Sequence, residues 1–235
     1  MKFEDIIKHR PDKVQGTISP AESKFIYDLL VKHKVETCLE IGVASGCSSA
    51  IIVGALDENK ATGKVNNYVL YSYDLLRKCY WDDSLEVGYG GRIMLKNLVD
   101  PNWVLRTQVT FMDLDKYHLK NSFDFIFIDA EHKHPWPAID MLGCLPYIKE
   151  GGIICLHDIN LTKINPQFPG DGVQTLFYNL DCEKFVIDEK IPNIGAVVVK
   201  NDRYYLENQL VRIIKENPWK TKVTDNVINK LDIVM

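Results

Sequence analysis

Two runs constrain this chain more than anything else in it: residues 123–128, Phe-Asp-Phe-Ile-Phe-Ile, and residues 151–156, Gly-Gly-Ile-Ile-Cys-Leu. Neither alternates apolar and polar positions as a strand with one wet face would. Both therefore read as strands covered on both sides, the situation of central strands in a parallel sheet. Each run also ends abruptly on titratable groups, the first in Asp129-Ala130-Glu131-His132-Lys133-His134 and the second in His157-Asp158. In an open sheet flanked by helices, ligands bind outside the carboxyl ends of the strands. The change of polarity at these two places marks that edge.

The rest of the chain fits the same plan. Ser19-Pro20-Ala21-Glu22 has the form of a helix start, with proline in the first turn and an acid following. The spacing predicts a helix to about Lys34 that buries Phe25, Ile26, Leu29 and Leu30. Strands are predicted to end at Ile41, Tyr73, Met112, Ile128 and Leu156, and a helix over 174–181. Two β-rich runs near 184–200 suggest an edge hairpin. Strands alternating with helical patterns imply βαβ units in one layered domain, residues 1–235. Its parts would be an N-terminal helical cap over 1–34, a core over 35–200 and a C-terminal helical extension over 201–235. That extension would either pack on the core or join two copies into a homodimer.

The first strand runs into Glu40-Ile41-Gly42-Val43-Ala44-Ser45-Gly46-Cys47-Ser48-Ser49, followed by a helical pattern. A strand, a glycine turn and a helix together present free backbone N–H groups at the strand's carboxyl end. The dinucleotide fingerprint needs glycine at 42, 44 and 47, where this chain has Gly, Ala and Cys. Glu40, just before the turn, would repel a pyrophosphate and suits a cationic ligand. This segment resembles the first motif of class I S-adenosyl-L-methionine-dependent methyltransferases. It is especially similar to the small metal-dependent O-methyltransferases of the caffeoyl-CoA and catechol type, whose motif is Glu-x-Gly-x-x-x-Gly-x-Ser. The resemblance covers about residues 19–200.

It implies a Rossmann-like α/β fold: a doubly wound seven-stranded sheet in the order 3-2-1-4-5-7-6, its last strand antiparallel, with helices on both faces. It also implies that Glu40, Gly42, Gly46 and Ser48 contact the methionine part of S-adenosylmethionine. Asp74, closing the second strand, would take the ribose hydroxyls, and Asp113 the adenine, although an exposed loop acid reads as well there. Asp129 would border the cofactor.

In the doubly wound order Asp129 and Asp158 end neighbouring strands, ~5 Å apart. Two carboxylates so placed repel, and a divalent cation such as Mg²⁺ would relieve them and orient a substrate hydroxyl. The similar enzymes read Asp-Asn at the second place; here Ile159 follows Asp158, so Asn160 or His157 would have to supply the third ligand. Without metal, Asp129 would serve the cofactor and Asp158 cap the next turn. His132 stands three residues after Asp129, where the catechol-type enzymes carry a lysine base. An imidazole can take that role, or it can simply bond to Asp140 or Asp158. His134 and Trp136 would shape an acceptor pocket. Asn165-Pro166-Gln167-Phe168 reads as an ordinary loop, and Gly88-Tyr89-Gly90-Gly91 as either a lid or a surface loop.

A formal charge of −4 gives no broad basic footprint for nucleic acid. No apolar run approaches 18 residues, and the charged N-terminus is unlike a signal peptide. The six scattered cysteines show no zinc-like spacing, which fits a reducing cytoplasm. The expectation is a methyltransferase acting on a small-molecule hydroxyl. Metal-free N-methylation or sugar O-methylation, and a non-catalytic cofactor-binding or assembly module, are the competing readings.

Overall fold

The computed structural model describes residues 1–12, 14–15, 17–96, 100–200, 203–231 and 233. The chain divides into two compact units, Met1–Thr110 and Phe111–Met235. The first carries α1 (Phe3–Ile7), α2 (Pro20–His33), β1 (Thr37–Ile41), α3 (Cys47–Ala61), β2 (Val69–Asp74), β3 (Lys78–Cys79), β4 (Asp82–Glu86), α4 (Tyr89–Met94) and β5 (Trp103–Thr107). The second carries α5 (Leu114–Tyr117), β6 (Phe123–Ile128), α6 (Trp136–Cys144), β7 (Ile148–His157), α7 (Leu161–Ile164), α8 (Gly172–Asn179), β8 (Lys184–Val186), β9 (Ile194–Val198), α9 (Arg203–Glu216) and α10 (Asp225–Lys230).

The main sheet has seven strands in the order β5-β2-β1-β6-β7-β9-β8, while β3 and β4 form a separate hairpin. With that hairpin left out of the count, the order is the expected 3-2-1-4-5-7-6. β9 runs antiparallel to both β7 and β8, as expected for the last strand. The fold is the Rossmann-like doubly wound one, with helices on both faces. Among the described residues, no helix is long and apolar enough to cross a membrane.

In the second unit, Phe123, Phe125, Ile126 and Phe127 of β6 are fully buried, which explains the unbroken apolar run. Its one acid, Asp124, is half-buried and accepts a 2.6 Å hydrogen bond from Lys149 at the start of β7. In the first unit, Ser19 caps α2 in a reciprocal box: the Glu22 amide donates to Ser19 Oγ at 3.1 Å, and the Ser19 amide to Glu22 Oε2 at 2.5 Å. The face of α2 differs by one position from expectation. Tyr27 joins Ile26, Leu29 and Leu30 in the core, and Phe25 is only half-buried.

Two corrections bear on the site. The third main-sheet strand, β5, ends at Thr107, where its pairing with β2 runs out opposite Asp74. Gln108 then adopts φ 61°, and Phe111–Asp113 form a 3₁₀ turn rather than the end of a strand. Gly88-Tyr89-Gly90-Gly91 is neither a lid nor a loose loop but the start of α4, docked on the glycine turn after β1. Gly88 N donates to Ala44 O at 2.9 Å and Gly91 N to Ser45 O at 3.0 Å. The contact is backbone on backbone. A Cβ on Gly46 would lie 2.8 Å from Gly88 Cα, and one on Gly91 would lie 2.3 Å from Gly46 O.

Because no flexible side chain stands in the way to yield, Gly91→Ala should cost about 1–3 kcal/mol of stability, as overpacking does. Thermal unfolding checks this; a midpoint equal to that of the wild type would show that the two glycine segments are not locked together.

Candidate functional site

The first unit builds a cradle on the turn after β1. Gly42 and Gly46 hold φ 87° and 78°, and Ala44 between them holds 49°, so the loop lies largely in left-handed backbone that glycine adopts without a Cβ clash. Asp74, at the end of β2, ties this loop down. Its Oδ2 accepts from the amides of Val43 and Ala44, both at 3.0 Å, and its Oδ1 from the amide of Leu76 at 2.7 Å. A carboxylate offers about four lone-pair sites, so Asp74 keeps capacity for a further donor.

Glu40 has a different environment from the one its position suggested. It is fully buried, and its two oxygens accept from Ser48 Oγ at 2.6 Å, Ser49 Oγ at 2.5 Å and Ser72 Oγ at 2.5 Å. Trp103 Nε1 in turn donates to Ser72 Oγ at 3.0 Å. Each hydrogen bond to a charged group is worth roughly 1.5–3 kcal/mol, and three of them offset the burial of the charge. Glu40 thus holds the first turn of α3 from beneath, and Ser48 is the part of the arrangement nearest the loop in sequence. Ser49, Ser72 and Trp103 were not read as site residues, because single serines on a helix and a strand carry no motif.

The second unit gathers Asp129, His132, His157 and Asp158. Asp129 follows β6; Asp158 follows β7 in left-handed backbone, φ 64°. His132 Nε2 lies 2.9 Å from Asp158 Oδ2 and 3.5 Å from Asp129 Oδ1. His157 Nδ1 lies 3.2 Å from Asp129 Oδ1 and 3.4 Å from Asp158 Oδ2. For His132 Nε2, a buried atom, neither contact has the alignment of a hydrogen bond. One ligand atom each from Asp129, His132 and Asp158 falls within 4.8 Å of the others. Burial disfavours the His132 imidazolium, but the close contacts with Asp129 and Asp158 and their charges outweigh it and push its pKa up to about 10. Burial likewise disfavours the Asp129 carboxylate, yet the charge of His157 and contacts with both histidines hold it well below the usual range.

Neighbouring groups define the cluster further. Asn193, just before β9, donates from Nδ2 to Asp158 Oδ1 at 2.6 Å, leaving Oδ2 to His132. Nothing in the sequence singled out Asn193. Asn160 does not reach the cluster through its amide nitrogen, which donates to Tyr178 Oη at 2.7 Å and Pro192 O at 2.6 Å. Ile159 is fully buried. The loop containing Asn165-Pro166-Gln167-Phe168 is not incidental. Phe168 meets the His132 ring edge-on at 5.5 Å, Gly172 N donates to His132 O at 2.8 Å, and a Cβ on Gly170 would come within 2.6 Å of His132 Cβ.

The remaining expected residues fall elsewhere. Asp113 sits in the 3₁₀ turn, paired with Lys116 at 2.6 Å. His134 is 1% exposed and burial lowers its pKa, so it belongs to the interior rather than to an open pocket. Asp140 is not the partner His132 found. It is buried on α6, and burial, with the charge of Glu131 adding, raises its pKa to about 7.

Comparison with known proteins agrees with the fold. A family model described as a methyltransferase domain matches residues 39–159, a stretch that begins in β1 and ends just past Asp158. No curated protein sequence matches the chain. Among solved structures, the O-methyltransferase TomG of Streptomyces achromogenes, which is involved in tomaymycin synthesis and was crystallised with S-adenosylmethionine, superposes with a TM-score of 0.60. It is 18% identical, over 85% of this chain and 91% of its own. An O-methyltransferase of Bacillus cereus in complex with S-adenosylhomocysteine gives 0.57 at 17% identity, over 83% and 90%. A methyltransferase of Podospora anserina bound to S-adenosylhomocysteine gives 0.58 at 15%, over 85% and 86%.

The raised pKa of Asp140 sets a pH dependence. Between the ordinary carboxylate value, 3.8, and about 7, the folded protein keeps a proton on Asp140 that the unfolded chain has released. Stability is therefore lost as pH rises through that window. Asp140→Asn should leave stability near pH 4 almost unchanged and raise it at pH 8, on the order of 2–4 kcal/mol at 1.36 kcal/mol per pKa unit. Urea unfolding at the two pH values measures this. An equal effect at both would contradict it.

Proposed function

Because the chain belongs to the methyltransferase-domain family, we propose that it transfers the methyl group of S-adenosylmethionine to a hydroxyl of a small molecule. The observation that carries this reading is the loop after β1, held in left-handed backbone and tied by Asp74 from the end of β2. The remaining acceptor capacity of Asp74 suits the ribose part of that cofactor. The O-methyltransferases with the same fold were crystallised with that cofactor or its product. In this reading Gly42, Gly46 and Ser48 lie along the methionine part, Glu40 acts through its serines, and Asp113 and Asp129 border the rest of the cofactor.

The reaction is a direct displacement. The acceptor oxygen attacks the methyl carbon, the carbon–sulfur bond breaks, and the electron pair goes to sulfur, giving S-adenosylhomocysteine. The hydroxyl proton is lost to a base. Alignment supplies most of the rate. Asp129 and Asp158 fit a divalent cation such as Mg²⁺: their oxygens and the poorly aligned His132 nitrogen converge on one small region. Such an ion, when bound, lowers the pKa of a coordinated hydroxyl.

His132 is positioned for proton removal, but while both carboxylates face it the imidazole keeps its own proton at neutral pH. It becomes a base only once that proton has been displaced. The same contacts favour a second reading, in which the His132 imidazolium neutralises the two acids and methyl transfer proceeds without metal.

All six cysteines are thiols rather than disulfides, which suits a reducing cytoplasm. The chain is read as one methyltransferase domain, 1–235, with 1–34 a helical cap and 201–235 a helical extension. A small-molecule acceptor and a homodimeric state complete the proposal.

Calorimetry should show S-adenosylhomocysteine binding, weakened about tenfold or more by Asp74→Asn, a loss of at least 1.4 kcal/mol. Binding of NAD alone would sink the proposal. Turnover of a methyl-acceptor library with and without EDTA then separates the two readings: sensitivity to EDTA supports the metal, and full activity in EDTA supports the imidazolium.

A further inference from the structure

We infer that His132 is a metal ligand, and that the Asp129–His132–Asp158 cluster selects a divalent first-row transition ion, such as Mn²⁺, Fe²⁺, Co²⁺ or Zn²⁺, over Mg²⁺. The inference rests on the reading of the two aspartates as a cation site and deepens it.

Two observations carry it. The first is spacing. Ligand atoms around an ion with bonds of ~2.1 Å stand about 3.0–3.4 Å apart, whether the ion is six- or four-coordinate. His132 Nε2 stands 2.9 and 3.5 Å from one oxygen of each aspartate, close to the edges of such a polyhedron. The second is orientation. Had evolution placed this ring to bond one carboxylate, its N–H would point along a single contact. Instead it is aligned with neither. The cluster thus offers an imidazole nitrogen beside two carboxylates as its third donor.

The rest of the second unit supports a fixed ring. Phe168 meets it edge-on, Gly170 allows the loop to approach its Cβ, and the Gly172 amide bonds the His132 carbonyl. Asn193 holds the outer oxygen of Asp158 at 2.6 Å, the kind of outer hydrogen bond that orients a ligating carboxylate. A mixed nitrogen and oxygen set lowers preference for Mg²⁺, a hard ion that takes oxygen ligands and keeps its waters, and raises it for ions that accept imidazole. The imidazole lone pair, once committed to an ion, is unavailable for proton transfer.

The test uses Co²⁺ and Mg²⁺ with the full chain and reads binding, not turnover. Calorimetry should give a Co²⁺ Kd about 100-fold or more below that for Mg²⁺, with visible bands that change from those of aqueous Co²⁺. His132→Ala should raise the Co²⁺ Kd by about 10–100-fold or more and alter those bands. Its Mg²⁺ Kd should change much less. His132→Asn, which returns a carboxamide oxygen, should narrow the gap between the two ions, and circular dichroism confirms that both variants fold.

Mg²⁺ binding as tight as Co²⁺, no ion binding at all, or a Co²⁺ Kd and spectrum unchanged in His132→Ala would each overturn the inference. Calorimetry with S-adenosylhomocysteine in EDTA keeps the two claims apart. Cofactor binding without ion selectivity ends this inference alone, and ion selectivity without cofactor binding ends the methyltransferase reading alone.

Discussion

Like charge brought together at the ends of two strands is the constraint around which the second unit is organised. Carboxylate oxygens of Asp129 and Asp158 fall within 4.8 Å of each other. At an effective dielectric of ~20, two unit charges at that distance repel by roughly 3–4 kcal/mol. A fold does not carry such a term without compensation, and here it is local: two imidazoles lie against the same oxygens, and Asn193 donates to the outer one. Asp158 also accepts left-handed backbone to aim its side chain, a strain that tends to collect at functional sites. Removing any compensating group leaves the pair less balanced, so the cluster behaves as a unit.

The first unit meets a similar problem with the opposite solution. One carboxylate, Glu40, is taken wholly inside, and three hydroxyls satisfy it. These bonds lock the start of α3, while Asp74 and the two glycine segments fix the turn above it. The result is a backbone cradle held by hydrogen bonds from beneath and from the side. The acid in the cluster of the second unit stays in contact with imidazole, where it can exchange partners; the acid under the loop cannot.

Much of the fold was legible because unbroken apolar runs have few homes. Residues 123–128 and 151–156 read as central strands, and β6 and β7 contain them. The capping box at Ser19 and Glu22 marked α2 for equally local reasons. Legibility failed where meaning came from distance. β5 stops early because β2 stops, which Phe111 and Met112 as apolar residues could not reveal. Gly88–Gly91 make sense only against Gly46, more than forty positions earlier. Asn193 and Phe168 act on Asp158 and His132 across long loops, and single polar or aromatic residues carry no periodic signal.

The most direct test of the central claim is a crystal structure of the protein grown with S-adenosylhomocysteine. The account predicts the ligand on the turn between Gly42 and Gly46, with its ribose hydroxyls about 3 Å from the Asp74 carboxylate. A ligand bound elsewhere, or an Asp74 carboxylate bonded only to the amides of Val43, Ala44 and Leu76 with the ligand present, would contradict it.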